Sequence, residues 1–301
     1  MRIVLLILTN LAVMLVLGVV LVVLQATGMM PTGRYGYYLV YSLVFGFGGA
    51  FISLLISKPM AKWSTRARVI DAPSSETEAW LVETVRQHAQ RAQIGMPEVA
   101  VFDSPDPNAF ATGATKNSSL VAVSTGLLRS MDRREISAVL GHEIAHVANG
   151  DMVTMTLLQG VLNTFVYFFA RVIGSLVDGA LSGNRERGRG NGIGYFITVM
   201  LAQMVLGLLA SMIAMWFSRQ REYRADEGGA ALTSTDDMAS ALAALKRMHP
   251  ASSLPKNLAA FGVHGGGLRS LLSSHPPIEE RIRHLQELGS RGPDSAIPSA
   301  R

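Results

Sequence analysis

The sequence predicts a mainly α-helical, multi-pass membrane protein whose soluble portion holds a small β-sheet. Three observations predict it. Apolar residues come in four long uncharged blocks. The stretches between them have ordinary polarity, with helix and strand patterns side by side. One of the soluble helices carries His142-Glu143-Ile144-Ala145-His146. Composition agrees: 49% of the 301 residues are hydrophobic, 16% are charged, and the mean hydropathy is +0.29. That charge is too sparse to solvate a globule of this size, and far too sparse for a disordered chain. There are no cysteines, which excludes disulfides, thiolate zinc sites, iron–sulfur clusters and thiol nucleophiles. Any metal site must use His, Asp or Glu.

The blocks are residues 3–24, 36–57, 152–170 (uncharged up to Arg171) and 191–218. A bilayer core takes about 20 apolar residues in a helix, so each block is long enough to span. The first is too long and too weakly basic for a cleaved signal peptide and reads as a retained anchor. Lys58, Lys62, Arg66 and Arg68 follow the second block, whereas the short loop 25–35 carries only Arg34. Basic residues stay inside, so residues 58 onward are expected in the cytoplasm, at the inner membrane. The third and fourth blocks form a hydrophobic hairpin that either spans or dips in and returns, since Arg185, Arg187 and Arg189 at its tip oppose full crossing. The expected organisation is two membrane helices (1–57), the first half of a soluble domain (58–151), the hairpin (152–218), the second half (219–288) and a disordered tail (289–301).

Within the first half, Ser75 and Glu78 form a capping-box pattern that opens a helix over 75–94, closed by Gly95. Strand signals follow at Glu98–Phe102, Ala109–Thr112 and Leu120–Ser124. A second helix starts at Asp132, with Glu135 three residues on, and runs to Gly150. In the second half, a helix continues from the fourth block through Leu232. Another lies at 236–248 behind Asp236 and Asp237. The last opens at Pro276-Pro277, with Ile278, Ile282, Leu285 and Leu288 on one face. His88 reads as solvated, and His249, His264 and His284 as helix-end, loop and surface residues.

The chemistry concentrates at residues 142–146. Positions i and i+4 share a helix face, so His142 and His146 can hold one metal, with Glu143 placed to take a proton from water. A catalytic metal needs a third protein ligand, and the chain lacks the longer HExxHxxGxxH form. The candidates are therefore carboxylates and histidines after the hairpin. Glu222 and Asp226 again stand at i and i+4. Glu222 can reach the metal, and Asp226 can accept the free N–H of a ligand histidine. Asn108, Ala109, Phe110, Ala111, Thr112 and Gly113 form a strand able to pair with an extended peptide. Arg and Lys lie mostly beside membrane segments without interleaved aromatics, so no nucleic-acid partner is expected.

Taken together, HEIAHVANGD, the hairpin, REYRADEGGA, PNAFATG at 107–113 and SHPPIEERI at 274–282 resemble the HtpX-type membrane zinc metallopeptidases, a group similar to the CAAX prenyl proteases. The resemblance covers nearly the whole chain. It implies a gluzincin-like zinc-endopeptidase core with one zinc ion per chain, held by His142, His146 and Glu222, and Asp226 behind them. It supports residues 108–113 as the substrate strand, His275 as the donor to the developing oxyanion and Arg281 as organiser of the site. It implies cleavage of misfolded or damaged membrane proteins under stress. The expected partners are protein and peptide substrates and the lipid bilayer, with a second copy of the chain or another membrane protease as further candidates. The alternative is a catalytically silent scaffold or chaperone-like regulator with a structural zinc; an intact Glu143 argues against it.

Overall fold

The computed structural model describes residues 33–181, 192–248 and 275–290, with isolated positions between 15 and 28. Most of the first apolar block, the hairpin tip, His249, His264 with its glycines, and the tail beyond 290 lie outside the described residues. The chain is mainly helical with one small mixed sheet and divides into two compact units.

The first unit (Met1–Leu55 and Thr154–Ala214) is built from apolar helices. Among the described residues, three helices are long and apolar enough to cross a membrane: α1 (Arg34–Thr65), which contains a π-helical turn at Val44–Gly48, α5 (Asp151–Leu181) and α6 (Ile193–Leu232). The chain is a membrane protein. Arg171 does not interrupt α5. Its guanidinium lies over the Tyr41 ring, 3.8 Å from the centroid, and bonds the Tyr167 carbonyl at 2.9 Å. Small residues let these helices approach closely, as membrane helices without a hydrophobic drive between them require. A Cβ on Gly46 would lie 2.2 Å from Thr164 Oγ1, and one on Gly174 2.4 Å from Val199.

The second unit (Ile56–Val153 and Met215–Arg301) holds the soluble elements. These are β1 (Arg68–Val69), α2 (Glu76–Arg91), β2 (Glu98–Phe102), β3 (Ala109–Thr115), β4 (Ser118–Ser124), α3 (Thr125–Ser130), α4 (Arg133–Asn149), α7 (Thr235–Met248) and α8 (Ile278–Ser290), with the C-terminal part of α6. The strand order is β1-β2-β4-β3, with β2 and β4 parallel and the outer pairs antiparallel. β4 is buried on both faces, which is why it reads as an unbroken apolar run rather than an alternation. Val121 and Val123 face the main core with Leu140 and Ile144 of α4, while Leu120 and Ala122 pack with Ala100 and Phe102 behind.

Local chemistry sets the helix that matters most. Asp132 accepts from the Glu135 amide, and Glu135 accepts from the Asp132 amide, completing a capping box. Gly150, at φ 70°, ends α4 in the left-handed region that glycine adopts without Cβ strain. Ile136, Leu140 and Ile144 then anchor the buried face; a buried Leu or Ile contributes about 1.5–3 kcal/mol.

Several sequence expectations are corrected here. α2 ends at Arg91, with Gln93 rather than Gly95 in the left-handed region, because Gly95 must sit tight against Asn117. The strands extend to Thr115 and begin at Ser118, and β1 and α3 were not anticipated. His88 is not solvated. It is buried between α2 and α4, with Nε2 3.0 Å from the Ser137 carbonyl oxygen. Burial pushes its pKa down, and the nearby positive charge of Arg91 adds to this. His284 is half-buried, 2.8 Å from Glu227.

Candidate metal centre

All the residues of this site belong to the second unit. The i, i+4 spacing on α4 brings the two histidine rings together nearly perpendicular, with Nε2 of His142 and Nε2 of His146 only 3.1 Å apart. From α6, Glu222 brings Oε1 to 3.5 Å from His146 Nε2 and Oε2 to 3.7 Å from His142 Nε2. Two ligand nitrogens 2.0–2.1 Å from a tetrahedral zinc would be separated by about 3.3 Å, close to the distance found here. All three side chains are buried and could hold a metal ion.

The outer nitrogens explain why the inner ones converge. His142 Nδ1 lies 2.9 Å from Asp226 Oδ1, and His146 Nδ1 lies 2.6 Å from Asp151 Oδ2. A carboxylate at Nδ1 keeps the proton there, so each Nε2 turns a lone pair toward the shared centre. Lone pairs facing each other at that distance, beside a buried carboxylate, call for a cation. The pocket favours positive charge: burial opposes a charge on the His146 ring, yet the hydrogen bonds to Asp151 and Glu222 outweigh it and raise its pKa to about 9, and a metal at Nε2 would take the place of that proton. The donor set therefore fits a divalent metal of the kind bound by nitrogen and oxygen.

Asp226 is itself gripped. Arg281 on α8 donates through Nε to Oδ2 at 2.7 Å and through Nη2 to Oδ1 at 2.6 Å, a bidentate pair, and its Nη1 lies 3.4 Å from Glu222 Oε2. Asp226 is fully buried, so pairing is what makes its charge tolerable there. His275 lies at the same carboxylate, with Nδ1 2.8 Å from Glu222 Oε2, and its side chain is 63% exposed.

Glu143 lies on the same helix, where burial pushes its carboxyl pKa up against the pull of the two histidines. The Ala111 amide of β3 donates to its Oε2 at 2.9 Å. This contact follows from the strand register. Ser124 N bonds the Asn108 carbonyl at 2.8 Å, so Phe110 and Thr112 turn their backbone groups to β4, while Ala109, Ala111 and Gly113 turn theirs outward. β3 is the edge of the sheet among the described residues, and its outer side meets the helix that carries Glu143. Gly113 has φ 150°, and a Cβ there would meet the Ser118 carbonyl oxygen at 2.4 Å.

α4 and α6 approach through small residues. A Cβ on Gly228 would lie 2.6 Å from the Ala145 Cβ, and one on Gly229 3.0 Å from the His142 nitrogen. Of the residues singled out in the sequence, the structure gathers His142, His146, Glu222, Asp226, Arg281, His275, Glu143 and Ala111. Asn108, Ala109, Phe110, Thr112 and Gly113 lie along or beside the edge strand. The sequence reading missed Asp151, whose one available signal was its place as the first residue of α5, five residues after His146.

A buried His–His–Glu cluster beside a further carboxylate and the edge strand of a sheet is the architecture of a metal-dependent peptidase. The chain belongs to peptidase family M48, whose sequence model matches residues 75–289. Protease HtpX of Xanthomonas euvesicatoria pv. vesicatoria (strain 85-10) is 60% identical over 288 residues, covering 95% of this chain and 97% of that one. Protease HtpX of Xanthomonas campestris pv. campestris (strain 8004) is 58% identical over the same span. In fold, the chain is similar to the crystal structure of S. mikatae Ste24p, with a TM-score of 0.63 at 22% identity, covering 92% of this chain and 66% of that one. It is a metalloprotease.

Proposed function

We propose that this chain is a zinc endopeptidase of the inner membrane, with His142, His146 and Glu222 as the metal ligands and a cytoplasmic active site that cleaves misfolded or damaged membrane proteins under stress. The observation that carries it is the convergence of two Nδ1-anchored histidines and Glu222 beside a Glu143 that is not one of the three. A purely structural site has no use for that fourth carboxylate, so the silent-scaffold alternative is not favoured.

A zinc ion held by His142, His146 and Glu222 would supply Lewis acidity, lowering the pKa of a bound water to about 7 and polarising a carbonyl. The chain's own groups do the rest. An extended peptide adds to the outer edge of β3 along residues 108–113, with pockets for alternate side chains giving selectivity. Glu143 takes a proton from the attacking water and delivers it to the leaving nitrogen. Asp226 holds the tautomer of His142, and Arg281 holds Asp226. His275, at the exposed side of Glu222, is placed either to donate to the developing oxyanion or to orient that carboxylate. Residues 58–151 and 219–288 form the protease domain, and the apolar segments 1–57 and 152–218 serve as its membrane part.

The test is cleavage of an unfolded soluble polypeptide such as casein by the detergent-purified chain. Activity should disappear on chelation and return with zinc. Chelator-insensitive cleavage, or none with zinc bound, would overturn the reading.

A further inference from the structure

His142 is held from behind by a carboxylate that is itself held by a cation, and His146 has a counterpart built from different residues. Asp151 Oδ2 lies 2.6 Å from His146 Nδ1, and the residue is buried. It opens α5 directly after the left-handed Gly150, so the turn that ends α4 also swings this carboxylate back onto the helix it has just left. A carboxylate in the first turn of a helix is favoured by the helix dipole, which steadies its charge there.

Arg221 secures the same residue from the other side. Its Nη1 donates to the Asp151 carbonyl oxygen at 2.9 Å. Its Nε is buried without a hydrogen-bond partner, so the guanidinium is not merely resting in water. Arg221 immediately precedes Glu222, whose Oε1 is 3.5 Å from His146 Nε2. A ring of contacts therefore closes from His146 through Asp151 and Arg221 to Glu222 and back to His146.

We propose that Asp151 and Arg221 are positioning residues for the metal. Asp151 fixes the Nδ1–H tautomer and the plane of His146. Arg221 fixes the backbone of Asp151 from the residue beside Glu222, so the distance between His146 and Glu222 is held by the first residue of α5 and by α6. The inference rests on His142, His146 and Glu222 being the metal ligands.

The experiment uses the full chain in detergent, in a Glu143→Gln background so that self-cleavage does not interfere. Zinc and cobalt(II) affinities are measured by competition with a chromophoric chelator, and the visible spectrum of the cobalt form reports ligand geometry. Asp151→Ala should weaken metal binding about 10–100-fold and alter the cobalt spectrum, as loss of a histidine's hydrogen-bond partner does. Asp151→Asn, which keeps an accepting oxygen and the shape of the side chain, should lose less. Arg221→Met should weaken binding, and Arg221→Lys, which can still donate to the carbonyl, should restore most of it. The double variant Asp151→Ala/Arg221→Met should be little worse than Asp151→Ala alone, because both act along one path. Melting of the metal-free proteins separates site effects from folding, and Arg221→Met carries the test if Asp151→Ala does not fold. Parent-like affinity and cobalt spectrum in Asp151→Ala, or in Arg221→Met where Asp151→Ala does not fold, would overturn the proposal. Equal losses in Arg221→Lys and Arg221→Met would overturn the role given to Arg221. A parent protein that binds no metal would instead overturn the ligand assignment.

Discussion

Gly228→Ala should weaken metal binding more than it weakens the fold. The new Cβ would lie 2.6 Å from the Ala145 Cβ. Ordinary carbon–carbon contact is about 3.5–4.0 Å, so α4 and α6 must separate by roughly 1 Å. Ala145 lies beside His146, and Glu222 is six residues upstream of Gly228 on the same helix. Metal ligation tolerates only about 0.2 Å in each distance, so the expected loss is about 10–100-fold in affinity, or 1.4–2.8 kcal/mol. The fold itself loses about 1–3 kcal/mol from overpacking and recovers about 1 kcal/mol from the better helix propensity of alanine. Competition with a chelator gives the first quantity, and melting of the metal-free protein gives the second. Two companions sharpen the test. Gly207→Ala, on the same helix with nothing within 4 Å of the added carbon, should be silent. Ala145→Gly combined with Gly228→Ala should restore binding, because it removes the clash. Unchanged affinity in Gly228→Ala, or no recovery in the double variant, would refute the reasoning.

Four further outcomes are expected. Glu222→Ala should lose more metal affinity than the roughly 10–100-fold expected of Asp226→Asn, and the reverse order, read by the same competition, would reassign the ligand. Asp226→Ala should in addition destabilise the protein by about 3–5 kcal/mol, since it leaves Arg281 buried without its bidentate partner, which denaturant unfolding would show. His88, whose pKa is pushed down in the folded state, takes up its proton first in the unfolded chain. Stability should therefore fall as pH drops below about 6.5, and Gln at this position should flatten that slope in melts between pH 8 and 5.5. A reporter fused near Arg129 should behave as cytoplasmic, and a periplasmic signal would reverse the orientation inferred from Lys58, Lys62, Arg66 and Arg68.

What could be read in the sequence was what short-range rules decide. The capping box of Asp132 and Glu135, the i, i+4 placement of His142 and His146, the like spacing of Glu222 and Asp226, and the uncharged blocks all depend on neighbours within two turns or on bulk polarity. Family likeness rather than spacing singles out Arg281 as organiser of the site, and its bidentate grip on Asp226 is a contact 55 residues apart in sequence. What stayed hidden depends on contacts distant in sequence. His88 looks solvated on its own helix and is buried only because Ser137, 49 residues away, packs over it. Arg91 bonds the carbonyls of Ala231 and Leu232 at the end of α6, some 140 residues on, which no local pattern could show. Asp151 looked like a residue at the edge of an apolar block, and only the left-handed turn at Gly150 aims it at His146. Gly228 and Gly229 lie inside the helix that the sequence predicts through Leu232, but the need for glycine there is legible only in three dimensions, where α4 passes too close for a Cβ. β1 is two residues long, below what periodicity can register.

The most direct measurement of the central claim is metal content and cleavage on one preparation of Glu143→Gln beside the unsubstituted protein. Glu143 is half-buried at the cluster without being one of the three converging side chains, so the substitution removes the proton acceptor and keeps the donor set. Both proteins should hold one zinc per chain, and only the unsubstituted protein should cleave. A variant that cleaves at the parent rate would contradict the role of Glu143, and one that loses its zinc would contradict the assignment of His142, His146 and Glu222 as the whole protein ligand set.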